Sequence, residues 1–151
     1  MDYSDLLKEN KLKEEPDIGF DQVERLLKRS GKDLVTARQL IEKDEGLTAA
    51  AIYDAMFHAA NALIRMQGYR PGTVRQHMGV IEAVRRTLGK DAENLIIKFD
   101  NMRVARNKFE YQAIFDMSKA QLDKALQDAE ALVRMIAKYI FEKNPQKQFD
   151  L

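Results

Sequence analysis

Arg106 stands where helical periodicity calls for an apolar side chain. At 3.6 residues per turn, Leu95, Phe99, Met102, Arg106 and Phe109 fall within about 80° of one another. A guanidinium does not escape burial by losing its proton, so it needs a carboxylate, a phosphate, backbone carbonyls or an opening to solvent. That makes Arg106 the first candidate for holding an anion or for stabilising negative charge as it develops. The competing structural reading has Arg106 at the edge of the stripe, reaching water or pairing with Glu110 one turn later. Arg103, Asn107 and Tyr111 succeed one another at i+4 on the flank beside Arg106, a polar cluster fit for a phosphate. On an unbroken helix Arg106 and Tyr111 point roughly 140° apart. Their cooperation therefore requires the helix to end or bend near Glu110, or a second subunit.

Tyr69, Arg70 and Arg75, with Arg65, surround the turn GYRPG and mix cations with an aromatic ring, a composition suited to phosphate contact and base stacking as well as to ordinary loop solubility. His58 lies on a polar strip with Asp54, Asn61 and Arg65, where Asp54 is placed to orient its ring across one turn; the alternative is a simple interhelical hydrogen bond. His77 shares a face with Ile81, Val84 and Leu88 and is expected to be a satisfied core histidine. Neither histidine belongs to a His-x-x-x-His or Glu-x-x-His pattern, so no metal site is expected. No glycine-rich phosphate loop is present, and no cofactor is expected. Met56, Met66, Met78, Met102 and Met135 are read as fillers of core gaps or of an interface. The absence of cysteine excludes disulfides and thiolate chemistry and suits a reducing cytoplasm.

The elements that must position these residues read as helices. The 151 residues suit one domain, and 25 basic against 24 acidic side chains give a net charge of +1, so no global field advertises nucleic acid or membrane. The start of the chain has no signal-like pattern and no run of about 18 apolar residues occurs, so neither export nor a membrane span is expected. A weak first helix over residues 3 to 13 is expected before Pro16 and Gly19, as part of an arm over 1–18. A second helix opens at Asp21 with Glu24 as a capping-box-like pair and carries Val23, Leu27, Ser30, Leu34, Ala37 and Ile41, with Gly31 weakening its middle. Thr48 is expected to cap a third helix running to about Met66, apolar around most of its circumference and therefore central. Thr73 and Gln76 suggest a capping box for a fourth helix through Leu88; a fifth runs from about Asp91 to near Tyr111. Ser118 and Gln121 open a sixth, striped by Leu122, Leu126, Ala129, Val133, Ile136 and Ile140. The fold expected is an all-α, up-and-down helical bundle of four to five main helices over 19–143, with a weak N-terminal helix and a loose tail over 144–151.

Two segments carry a resemblance to a known family. AIYDAMFHAANALIRMQGYRP, an aromatic helix rich in small residues that ends in a glycine turn, and RNKFEY from Arg106 to Tyr111 resemble the HEPN domain, from about Phe20 to about Glu142. What that resemblance implies is an Arg, a polar neighbour and, several residues on, a His, which line a cleft between two subunits where RNA is cut without metal. Arg106 and Asn107 match the first two; Tyr111 stands in the place of the His. A tyrosine titrates near ~10, too high for a general base near neutrality, so Tyr111 is better suited to positioning RNA while Arg106 stabilises charge. The resemblance further implies a homodimer, a toxin-antitoxin setting, and a minimal nucleotidyltransferase as partner, for whose transferred group the Tyr111 hydroxyl is an acceptor. Three functions stay open: a metal-independent ribonuclease, a non-catalytic module for RNA or nucleotide, and a structural domain paired with a nucleotidyltransferase.

Overall fold

The computed structural model describes residues 2–145. Its helices are α1 (Ser4–Lys8), α2 (Phe20–Leu40), α3 (Glu45–Met66), α4 (Gln76–Leu88), α5 (Glu93–Gln112) and α6 (Lys119–Lys143). Two short strands, β1 (Leu12–Glu14) and β2 (Tyr69–Pro71), pair antiparallel with Leu12 opposite Pro71, and one 3-10 turn, Lys90–Ala92, precedes α5. The result is a helical bundle of five main helices with one small sheet. Residues 146–151, most of the expected loose tail, lie outside the described residues.

α3 is the axis of the bundle. It packs most extensively on α2 and also meets α4, α5 and α6. Its alanines at 49, 55, 59, 60 and 62 are buried and let neighbouring backbones come close, while Ile52, Met56, Leu63 and Ile64 fill the space between. By length and composition α3 is apolar enough to cross a membrane, yet 67% of its most apolar window is buried inside the protein. Its hydrophobicity is that of a central helix.

The helix boundaries follow local chemistry where it is undisturbed. Ser118 and Gln121 form the expected reciprocal box at the start of α6, with the Gln121 amide 3.1 Å from Ser118 Oγ and the Ser118 amide 2.8 Å from Gln121 Oε1. α3 begins earlier than Thr48, because Asp44 in extended backbone accepts from the Leu47 amide at 2.9 Å and adds negative charge at the positive helix end. The Thr48 hydroxyl turns instead to the Asp44 carbonyl at 2.6 Å. α2 opens at Phe20 after an extended Gly19, without a side-chain cap, and continues through Gly31 for 21 residues.

The N-terminal segment departs from the expectation of a helix over 3 to 13. Only Ser4–Lys8 is helical, and the chain then extends as β1 beside β2. Tyr3 is 1% exposed, and its hydroxyl lies 2.7 Å from Gln67 Oε1 and 2.5 Å from Thr87 Oγ1. Leu6 and Leu12 are buried in the same core, and Arg86 donates to both carboxylate oxygens of Asp5. The Thr73–Gln76 box is absent for a related reason: the Thr73 and Val74 amides donate to the Asn10 carbonyl, and Arg75, left-handed at φ 45°, leads into α4. A Cβ at Gly72 would stand 2.0 Å from that same Asn10 oxygen, so only glycine admits the strand here.

Candidate functional site

Arg106 projects from the buried side of α5 beyond Phe99 and Met102, both in the core. Its side chain is 24% exposed and faces α3. Nη2 lies 3.2 Å from Glu110 Oε2, whereas Nε lies 3.8 Å from Asp54 Oδ1, within ion-pair range but too far for a hydrogen bond. The guanidinium carbon sits 5.8 Å from the centre of the Tyr53 ring. Arg106 Nε is the one buried side-chain polar atom without a hydrogen bond among the described residues. A charged donor in that condition has capacity left for an acceptor.

The surroundings are tuned by burial. Asp54 has its pKa raised by desolvation, with Arg106 pulling the other way. Burial lifts the Tyr53 phenol well above its usual range, so it keeps its proton, and its oxygen lies 2.6 Å from His77 Nδ1. The His77 ring also stacks on Phe57 at 4.4 Å between centres. Desolvation first, then the charges of Arg106 and Arg103, hold His77 below its ordinary 6.5. His77 is half-buried and partnered, as its apolar face suggested.

Of the other residues singled out from the sequence, Arg103 donates through Nε to Asp100 Oδ1 at 2.8 Å, and Asn107 is half-buried on the same flank. α5 neither ends nor bends at Glu110; it continues to Gln112 and closes at a left-handed Ala113. Tyr111 therefore stays on the far side of the helix from its own Arg106, and it is 79% exposed. With Ile97 and Val104 it makes an exposed apolar stripe along α5 at seven-residue intervals on one face, and exposed Ile114 follows just past the helix end.

The group around GYRPG is drawn elsewhere. Tyr69 packs its ring edge-on to Tyr3 at 5.0 Å, Arg70 pairs with Glu15 at 3.3 Å, and Arg75 is exposed. No hydrogen bond, ion pair or ring contact among the described residues links these three to Arg106. Asp54 also does not orient His58 as expected, since Arg106 occupies it. His58 Nδ1 turns to Asp33 Oδ2 on α2, at 2.6 Å. The sequence reading missed Asp33, although its place three residues after Ser30, on the buried face of α2, was a signal that it needed partners.

A family model for the HEPN domain matches residues 23–140. The chain belongs to the HEPN domain family. A search among curated proteins returned no match. The HEPN match runs from Val23 on α2 to Ile140 on α6, and so takes in Asp33, His58, His77, Arg106 and Tyr111. α1 and β1 precede it. Among the described residues of this HEPN chain no group of three or more acidic, histidine or cysteine side chains is spaced to hold a metal ion.

Proposed function

We propose that this HEPN protein acts on RNA in the cytoplasm as a homodimer, cutting it without a metal through a cleft centred on Arg106. The observation that carries the reading is the under-coordinated Arg106 guanidinium: one long ion pair, one contact to a half-exposed glutamate, and a buried Nε with no acceptor. A phosphodiester at the partly exposed side of the guanidinium adds an acceptor, and a cation held between α3 and α5 stabilises the charge that gathers on the non-bridging oxygens as phosphorus becomes five-coordinate. Arg103 and Asn107 on the adjoining flank hold neighbouring phosphate or sugar oxygens. The exposed α5 stripe of Ile97, Val104 and Tyr111 is where the second copy docks in this reading, which turns Tyr111 toward the partner. The same exposure leaves the Tyr111 hydroxyl open to a group transferred by a minimal nucleotidyltransferase, the antitoxin of such a pair.

A second reading is favoured by one observation. Tyr111 is far around the helix from Arg106, so a dimer that fails to reunite them leaves an RNA- or nucleotide-binding module without cleavage. Incubation of mixed cellular RNA with the purified protein in excess chelator separates the two. Cleavage that disappears in a folded Arg106→Ala variant supports the ribonuclease, and Tyr111→Phe reports whether the hydroxyl takes part. Intact RNA with an Arg106-dependent mobility shift supports the binding module. RNA neither cut nor bound overturns both.

A further inference from the structure

A histidine held like a general base lies outside the segment that carries Arg106, on α3. We infer that His58 accepts the proton of the attacking hydroxyl, with Asp33 as its positioning residue; this rests on the reading of Arg106 as the phosphate-stabilising cation. Asp33 is 5% exposed on α2. Its Oδ1 accepts from Arg29 Nε at 2.9 Å and Nη2 at 2.8 Å, and its Oδ2 faces His58 Nδ1 at 2.6 Å. Arg29 thus occupies Oδ1 and leaves Oδ2 as the acceptor that faces His58. The hydrogen in the His58 contact therefore lies on Nδ1, and in the neutral ring the free lone pair is on Nε2. The His58 side chain is 30% exposed. Asp54, one turn earlier on the same face of α3, stands between the two halves of the site: it feels the charges of both Arg106 and His58, and Arg106 Nε is 3.8 Å away. Three helices thus contribute two contacting groups, Arg29, Asp33 and His58 across α2 and α3, and Asp54, Arg106 and Glu110 across α3 and α5, with Asp54 within the electrostatic influence of His58.

The arrangement fits cleavage by the RNA's own 2′-hydroxyl. His58 Nε2 takes the 2′-hydroxyl proton, O2′ bonds to phosphorus, and the P–O5′ bond breaks, with its electron pair leaving on O5′. O5′ takes a proton from solvent, and His58 returns the one it accepted to solvent. The products are a 2′,3′-cyclic phosphate and a 5′-hydroxyl end, with no oxidant, metal or cofactor consumed. This assignment explains how a HEPN chain with tyrosine in place of the motif histidine retains a base.

The test uses the full chain and a single-stranded RNA oligonucleotide in excess chelator, read by formation of 2′,3′-cyclic phosphate ends. His58→Ala is expected to slow cleavage by about 100-fold or more, and added imidazole to restore part of the rate, which a merely structural histidine does not show. His77→Ala serves as the control for the other histidine and is expected to cleave faster than His58→Ala. Nitrogen NMR of histidine-labelled wild-type protein is expected to show His58 in the Nδ1–H form. Wild-type protein that leaves the RNA intact overturns the proposed ribonuclease and the dyad together. Cleavage that is lost in Arg106→Ala but unchanged in His58→Ala overturns the dyad alone. So does loss in His58→Ala without imidazole rescue, or an Nε2–H tautomer.

Discussion

A guanidinium in an apolar stripe has two physical explanations, and they predict stability effects of different size. Were Arg106 a buried structural ion pair, removing it would strand its partners at a cost of roughly 3–5 kcal/mol. Its contacts are instead long or half-exposed, so Arg106→Met is expected to change unfolding free energy by less than about 1 kcal/mol in a denaturant titration while abolishing RNA-dependent activity. His77 gives a second expectation. Its folded pKa lies below the ordinary 6.5, so the unfolded chain binds the extra proton first. The stability it contributes is complete above pH 6.5 and is lost as pH falls through the depressed folded value. A melting series across that window is expected to show the loss in wild type and a smaller loss in His77→Gln. At this scale the sequence revealed Arg106, because a charged residue violating an apolar period is visible in one dimension. The partner of His58 was not, because Asp54 is local and Asp33 lies 25 residues away, reachable only once α2 and α3 are in register.

Among the elements, what could be read in advance was whatever a few consecutive residues decide. The Ser118–Gln121 box and the α6 stripe are of that kind. The Thr73–Gln76 box has the same letters and fails, since the amides of Thr73 and Val74 are claimed by Asn10. The β1–β2 pair has no local signature at all: Leu12 meets Pro71 with α2 and α3 between them in the chain, and no hairpin turn announces it. The junction of α3 with α5 is the element contact that bears on the site. A Cβ at Gly46 would stand 2.2 Å from the Phe109 ring, one helical turn beyond Arg106. Gly46→Ala is expected to force that ring aside, lower stability by roughly 1–3 kcal/mol, and weaken RNA-dependent activity by displacing the end of α5. Thermal melts alongside the chelator assay check both.

At the scale of the molecule, a net charge of +1 argues against a broad electrostatic footprint on nucleic acid. If Arg106 and Arg103 carry the phosphate contacts, the slope of log affinity against log salt for single-stranded RNA is expected near −1.4, from about −0.7 for each of two phosphates. A slope several times steeper would move the RNA to a surface other than this cleft. The exposed stripe on α5 gives the assembly prediction. If a second copy docks on that stripe, Val104→Glu is expected to leave a monomer at micromolar concentration where wild type scatters as a dimer, with the melting midpoint of the protomer nearly unchanged.

The segment that lies across α4 also imposes an order in time. Tyr3, Leu6 and Leu12 are synthesised well before Gln67, Pro71, Ala83 and Thr87, which receive them. At roughly 5–20 residues per second on the ribosome, the early residues wait several seconds with their apolar side chains unsatisfied, and they dock only after α3 and α4 exist. The approach to His77 is therefore shaped late: the turn that leads into α4 acquires its Asn10 hydrogen bonds when the strap closes. Amides of residues 12–14 and of Tyr69 and Arg70 are expected to exchange hydrogen together, as a unit that opens before the rest of the bundle.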